Sequence, residues 1–441
     1  MEIRGDARTF TRYVSSNVIG MVGISIYILA DTLFVANGLG ELGIAALNLA
    51  LPIFTVINGL GFLFGVGGAT WYTILRAQDK QRKARDVFNQ TLVFVGLISL
   101  VIILLGLFGS ESIARLVGTN HETFAMTNTY LKVIMLFSPF FILNNMMVSF
   151  IRNDGNPKLA MLGMLVGSLA NVVLDYIFIF PLEMGMFGAA LATGATPILS
   201  LLLLSLHFKQ EKNSLYLQKG KIKLEQFWKI ITLGISAFIT EISSGVVMLV
   251  FNMLILGLTG NIGVAAYGVI ANMAMIVVAI FTGIAQGTQP IISHLFGLKK
   301  TREIKRILVY GFSTSFILSG LIYLIILFGS DVIIGFFNRD NSQALADIAS
   351  TGLLIYFIGM FFAGINIIAI SSLSAIEQGG IAFRFSLLRS IVLIIPIAFV
   401  LAHYFNMVGV WSSFVLTEVL TLGLIIWQQC KSPLKDGLSF P

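Results

Sequence analysis

Asp31 stands inside an apolar run, between Ile26-Tyr27-Ile28-Leu29-Ala30 and Thr32-Leu33-Phe34-Val35, and Asn171 and Asp175 stand inside another, four residues apart. A spacing of four puts the amide oxygen and the carboxylate on one face of a helix. A carboxylate at the centre of a membrane helix costs about 2.5 to 3.5 kcal/mol on insertion scales, so such a residue is usually kept for a purpose. No span-centred Lys or Arg is available to neutralise either acid. Two unpaired carboxylates in a low-dielectric interior share a proton or attract a hard cation, and either event makes a coupling-ion site. Oxygen ligands from Asp, Asn and Thr suit Na⁺ as readily as a proton relay, and no histidine or thiolate is close enough in sequence for a transition metal. The plain alternative, that each group hydrogen-bonds a neighbouring helix, fits one isolated acid better than a set of three in one half of the chain.

The second half is built differently. Leu388 to Ala402, which corresponds to the run holding Asp175, carries Pro396 where that acid would fall and no acid at all. An ion site is therefore expected on one side only. Glu241 and Glu418 are the second half's own intramembrane acids, and each reads either as a cation-attracting pocket residue or as an interhelical hydrogen-bond partner.

The elements that must hold these residues follow from composition. The chain has 441 residues, 57% hydrophobic and only 11% charged, with a mean hydropathy of +0.92. A soluble fold carries about 25% charged residues, and about 20 apolar residues cross a bilayer core as a helix. Twelve apolar runs are read as spans: 14–36, 43–71, 90–109, 131–151, 159–180, 186–208, 228–257, 263–293, 308–329, 350–373, 385–404 and 408–429. Twelve spans put both termini on one side. With the termini inside, all of the 28 Lys and Arg except Arg115, Lys132 and Arg339 lie inside, Arg389 and Lys229 being counted with their adjacent loops. The positive-inside rule then makes both termini cytoplasmic.

The Lys- and Gln-rich stretch 209–226 bisects the chain, so the expected organisation is a six-helix bundle over 1–208, a cytoplasmic linker over 209–226 and a second six-helix bundle over 227–441. A repeat supports it. Leu42-Gly43-Ile44-Ala45-Ala46 is echoed 220 residues later by Ile262-Gly263-Val264-Ala265-Ala266, Gly67 falls on Gly287, and the basic loop 79–85 falls on 299–305. Six spans per half give the halves the same topology, a transporter arrangement.

Several functions are excluded on the same grounds. Cys430 is the only cysteine, which leaves no internal disulfide, thiolate cage or C-x-x-C pair. The net charge of +7 sits in short loops where topology explains it, so nucleic acid is not an expected partner. Gly38-Leu39-Gly40-Glu41-Leu42-Gly43 fits G-x-G-x-x-G but follows a membrane helix rather than a strand and reads as a loop. Gly59, Gly61, Gly65, Gly67 and Gly68 read as close helix packing. His121, His207, His294 and His403 have no acid at catalytic spacing, and no hydrolase motif is present, so no enzyme activity is expected. Arg4, Arg8 and Arg12 precede the first span without a cleavage pattern, and that helix is expected to be retained.

With these residues in view the chain resembles the multidrug and toxic compound extrusion (MATE) family, most closely its bacterial multidrug exporters, over essentially its whole length. The features that carry the resemblance are Ala30-Asp31-Thr32, Asn171-Val172-Val173-Leu174-Asp175-Tyr176, Gly188-Ala189-Ala190-Leu191-Ala192-Thr193 and Gly283-Ile284-Ala285-Gln286-Gly287-Thr288-Gln289-Pro290. The resemblance implies an all-α polytopic fold of two pseudo-symmetric six-helix bundles. It implies Na⁺- or H⁺-coupled antiport of lipophilic, often cationic drugs by alternating access, with the plasma membrane as location. It also implies an N-lobe cation site of Asp31, Asn171, Asp175 and Thr193, with Tyr130 and Asn145 in the substrate pocket beside the candidate acids Glu241 and Glu418. Some members also couple Na⁺ through acids on the seventh and tenth spans; Glu241 fits the first, and the tenth span here has no carboxylate. No cofactor beyond the coupling ion is expected, membrane lipids are expected partners, and the working unit is a monomer. A lipid-linked sugar flippase of the same superfamily is the alternative, and its anionic substrates call for an interior Arg or Lys, which this reading does not find.

Overall fold

The computed structural model describes residues 5–218, 223–338 and 342–431. Residues 219–222 of the expected linker, and Arg4, Arg339 and Lys435 of the charge tally, lie outside the described residues. The first helical run, Ala7–Ala77, has 71 residues. At 1.5 Å per residue it would reach about 107 Å, over three times a bilayer core. It is interrupted at Gly40, whose φ of 67° lies in the left-handed region that glycine enters without a Cβ penalty. The break gives α1 (7–39) and α2 (41–77). Leu224–Gly297 breaks the same way 220 residues later at Gly260, also φ 67°, giving α7 (224–259) and α8 (261–297). The G-x-G-x-x-G stretch is therefore helical on both sides of a single non-helical glycine.

Between and after these lie α3 (Gln81–Leu116), α5 (Pro157–Ile179), α6 (Gly185–Leu204) and α9 (Thr301–Phe337). Two helices come in two segments, α4 (Phe124–Leu136 and Ser138–Asn153) and α10 (Gln343–Tyr356 and Ile358–Ala375). α11 begins at Gly379, passes through a π turn at Leu388–Val392 and ends at Asn406, whose φ of 50° starts α12 (407–431). Asparagine is among the few residues that visit this region readily.

All twelve expected spans are present, most as the apolar centres of longer helices, while 159–180 and 186–208 run one and four residues past the ends of α5 and α6. Spans 90–109 and 308–329 sit within α3 and α9, because the polar stretches ahead of them keep the helical period with buried Ala84, Val87 and Phe88 and with Ile304, Ile307 and Leu308. Two of the expected spans, 131–151 and 350–373, come in two segments each. The segments of α4 meet at 51°, since Pro139 lacks an N–H and its ring clashes with the carbonyl four residues back. The α10 break falls at Phe357, 220 residues after Phe137, with Gly359 standing where Pro139 stands.

By compactness the described residues divide into 15–242 and 5–14 with 243–431. Within the first unit α2 crosses the start of α7 backbone to backbone. A Cβ on Gly67 would stand 2.1 Å from the Ile230 carbonyl oxygen, and one on Gly234 would stand 1.9 Å from that of Leu63. Within the second unit, a Cβ on Gly287 would meet Val14 Cα at 2.7 Å, and Phe10 packs edge-on against Tyr310. Gly67 with the start of α7 and Gly287 with the start of α1 are one crossing repeated. Gly67→Ala is expected to lower stability by about 1–3 kcal/mol through overpacking. Gly96→Ala, with open space around it, is expected to be neutral or slightly stabilising. Thermal unfolding of both purified variants checks the contrast.

One polar cluster ties the end of the first unit where α4 turns into α5. Asp154, fully buried, accepts hydrogen bonds from the Tyr72 hydroxyl (2.7 Å) and the Ser214 N–H (2.8 Å), and pairs with Arg76 and with His207 Nε2 (2.8 Å). His207 thus has an acid partner, contrary to the sequence reading, because the acid lies 53 residues away and only the fold brings it near. The pair is sealed, and its acid is already shared with Arg76 and Tyr72, so it is a packing node rather than a catalytic dyad.

Candidate functional site

Small residues let α1 lie along α5. Cβ atoms on Gly20 and Gly23 would collide with Met164 and Leu165, and one on Gly38 with Ile179. Asp31 and Asp175 fall between these contacts and are carried to the same level. On α5, the buried stripe Gly163, Gly167, Asn171 and Asp175 repeats every four residues, and Gly163 and Gly167 admit Ser200 and Thr196 of α6. That brings Thr193 to the same face.

The result is a sealed polar group in an apolar bundle. Asn171 and Asp175 are fully buried, Thr193 and Tyr130 nearly so, and Asp31 is 9% exposed. The Asp31 and Asp175 carboxyls lie against each other. Asp31 Oδ1, both oxygens of Asp175 and both polar atoms of Asn171 are buried with no hydrogen-bond partner, and no basic side chain pairs with either acid among the described residues. Thr193 donates to the Ala189 carbonyl (3.0 Å), which leaves its oxygen lone pairs free, and the Tyr130 hydroxyl lies against it. Buried acceptors left facing one another destabilise the bundle unless a proton or cation sits among them. The donor set fits either, being four oxygens plus a hydroxyl with no soft ligand.

The bend of α4 serves the same place. Phe137, at the break, lays its ring on Gly194 beside Thr193, while Tyr130 on the first segment reaches the hydroxyl. Tyr27 was not singled out from sequence. It lies one turn before Asp31 and within the field of Asp31, Asp175 and Glu241, and the signal available was its i, i−4 spacing from Asp31. Beyond the acids, Phe34 packs on Tyr176 and Phe180, with ring centroids 6.3 and 6.1 Å away.

Two of the other pocket candidates, Asn145 and Glu418, have other partners, while Glu241 shares the surroundings of Tyr27. Asn145 donates to Asn58 Oδ1 (3.1 Å) and packs against Gly61, an α2–α4 link rather than a neighbour of the acids. Half-buried Glu241 belongs to the stretch of α7 in the first unit. Glu418 belongs to the second unit and is ion-paired with Arg389. The absence of an interior basic residue therefore needs correction. Arg389 was placed at the end of a span beginning at 385, but α11 begins at Gly379, and its side chain is only 11% exposed.

Twelve helical spans in two repeated sets of six, with unpaired acids gathered inside one set, define a polytopic membrane protein with a transporter-type internal repeat. The MatE family model matches residues 18–177 and 236–400. A relative named multidrug export protein MepA from Staphylococcus saprophyticus is 31% identical over 389 residues, 87% of this chain and 84% of the relative. The protein of that name from Staphylococcus aureus strain MRSA252 is 30% identical over 381 residues, 86% and 83% of the two chains. A solved outward-facing multidrug resistance MATE family transporter of the MOP superfamily superposes with a TM-score of 0.90 at 22% identity, covering 96% of this chain and 95% of its own, a likeness of fold. The chain belongs to the MatE family.

Proposed function

We propose that this protein is a cation-coupled multidrug exporter of the plasma membrane, a secondary transporter rather than an enzyme, with both termini in the cytoplasm. The observation that carries the reading is the buried, unneutralised pair Asp31 and Asp175 with the unpartnered Asn171. The names of the MepA relatives support the class of cargo. The basic loops support the orientation.

A proton or Na⁺ arriving from outside occupies the acids, Asn171 Oδ1 and Thr193 Oγ1. Neutralising the pair removes the repulsion between the carboxylates, and α1 repacks along α5 in the ion-loaded state. Drug and ion need only bind the two access states with different affinities for the ion gradient to drive export, and the coupling is then reciprocal. A lipophilic drug cation is attracted by the same charge that the incoming ion cancels.

The test is efflux of ethidium from proteoliposomes under separately imposed Na⁺ and H⁺ gradients. Efflux driven by one of them supports the proposal and names the ion. No movement in either contradicts it and turns attention to lipid-linked sugars.

A further inference from the structure

The interior of the second unit holds a charge arrangement that the export reading does not use. Glu418, 2% exposed on α12, receives Arg389 Nε on both carboxylate oxygens (2.7 and 2.8 Å) and Asn366 Nδ2 on one of them (2.8 Å). Asn366 Nδ2 also reaches the Glu418 carbonyl (2.9 Å), which fixes α10 to α12 at this level. Arg389 sits in the π turn of α11, and its side chain is only 11% exposed. The usual Arg–carboxylate pair is fork to fork and engages two nitrogens in parallel. Here Nε alone serves Glu418. The two terminal amino groups make no hydrogen bond among the described residues and are not sealed, so the outer edge of a planar, permanently charged fork is held in position and left open.

The surroundings also point to a ligand. Asn366 Oδ1 and Thr417 Oγ1, on fully buried residues, have no partner. Tyr356 and Phe414 stack at 4.1 Å with their planes 6° apart, and Phe414 lies one turn before Glu418 on the same helix. The Arg389 and Glu418 charges both act on Tyr356. We infer that the open edge of Arg389, beside the Tyr356–Phe414 stack, is a binding site for the carboxylate of an aromatic compound. The Nη groups take the two carboxylate oxygens, Glu418 holds the guanidinium in register, and the stack receives the ring. That such a compound is cargo rests on the export reading. Its binding does not.

The test is therefore made at equilibrium and without a gradient. Equilibrium dialysis of 2-naphthoate and its neutral isostere 2-naphthamide against the full chain in phosphatidylcholine nanodiscs compares the wild type, Glu418→Gln, and Arg389→Gln combined with Glu418→Gln. The double substitution avoids leaving a buried charge unpaired. Hydrogen bonds to a charged partner correspond to a preference for naphthoate of about ten- to a hundredfold. That preference is expected in the wild type, retained in Glu418→Gln and lost in the double variant. Equal binding of the two probes to the wild type overturns the assignment, as does a preference that survives loss of Arg389. Naphthoate displaced by phosphatidylglycerol in the disc assigns the edge to a lipid phosphate and overturns it as well. None of these outcomes bears on ethidium efflux, so the two readings fail separately.

Discussion

Replacing Asp175 with Asn is expected to bring gradient-driven ethidium efflux to the level of empty liposomes, and Asp31→Asn is expected to do the same. Asparagine keeps the size and one oxygen of each acid, so the packing of α1 on α5 between Gly20 and Gly38 has no reason to change. What disappears is the charge that, in the proposed mechanism, holds the ion. Removing one member of a buried charged pair weakens binding by about 2–5 kcal/mol, or about thirty- to several-thousandfold. Asp175 is sealed completely and Asp31 is 9% exposed, so the larger loss of ion affinity is expected at Asp175, where no water can stand in, although efflux falls to background in both. Thr193→Ala removes one neutral oxygen and is expected to shift the ion concentration for half-maximal efflux by about tenfold, the effect of about one net hydrogen bond. Efflux from liposomes carrying equal amounts of each folded variant is the measurement. An Asp175→Asn protein that exports at the wild-type rate removes the site from the mechanism.

The second large effect concerns stability and is independent of transport. Asp154→Ala is expected to destabilise the protein by about 3–5 kcal/mol, the range for breaking a buried ion pair from one side. The substitution strands the Tyr72 hydroxyl, sealed His207 and the Ser214 N–H together, and leaves Arg76, 31% exposed, as the partner best able to turn to water. Flanking bonds do not compensate, since Thr73 to Asn153 (2.8 Å) and Asn156 to Gln210 (2.8 Å) tie the same elements and depend on the same turn. Arg76→Ala is the control, with a smaller expected loss. Thermal unfolding followed by tryptophan fluorescence distinguishes them, and a melting temperature for Asp154→Ala within a degree of the wild type contradicts the account of this node.

The twelve spans were legible because apolar runs report directly on the bilayer, and the two acids were legible because charge inside such a run is conspicuous. Asn171 followed from a spacing of four. What was not legible depended on contacts between distant residues. Asp154 sits in an ordinary Asp-Gly-Asn turn, and nothing local announces partners at 72, 76, 207 and 214. Arg389 reads as a helix-end residue because hydropathy locates the apolar centre of a helix and not its start, whereas it lies ten residues inside α11. The α4 bend was written in Pro139, and its counterpart in α10 only in Gly359, a weaker signal that the 220-residue register makes readable.

The central claim of the proposal is that ion binding at Asp31 and Asp175 and drug binding oppose each other through the two access states. It is tested most directly by adding tetraphenylphosphonium to purified protein in weakly buffered detergent solution and measuring the protons or ²²Na⁺ released. The wild type is expected to release one of the two ions in proportion to the cation bound, and Asp31→Asn combined with Asp175→Asn is expected to release neither. Release from that double variant equal to the wild type, or binding of the cation to the wild type without any release, contradicts the account.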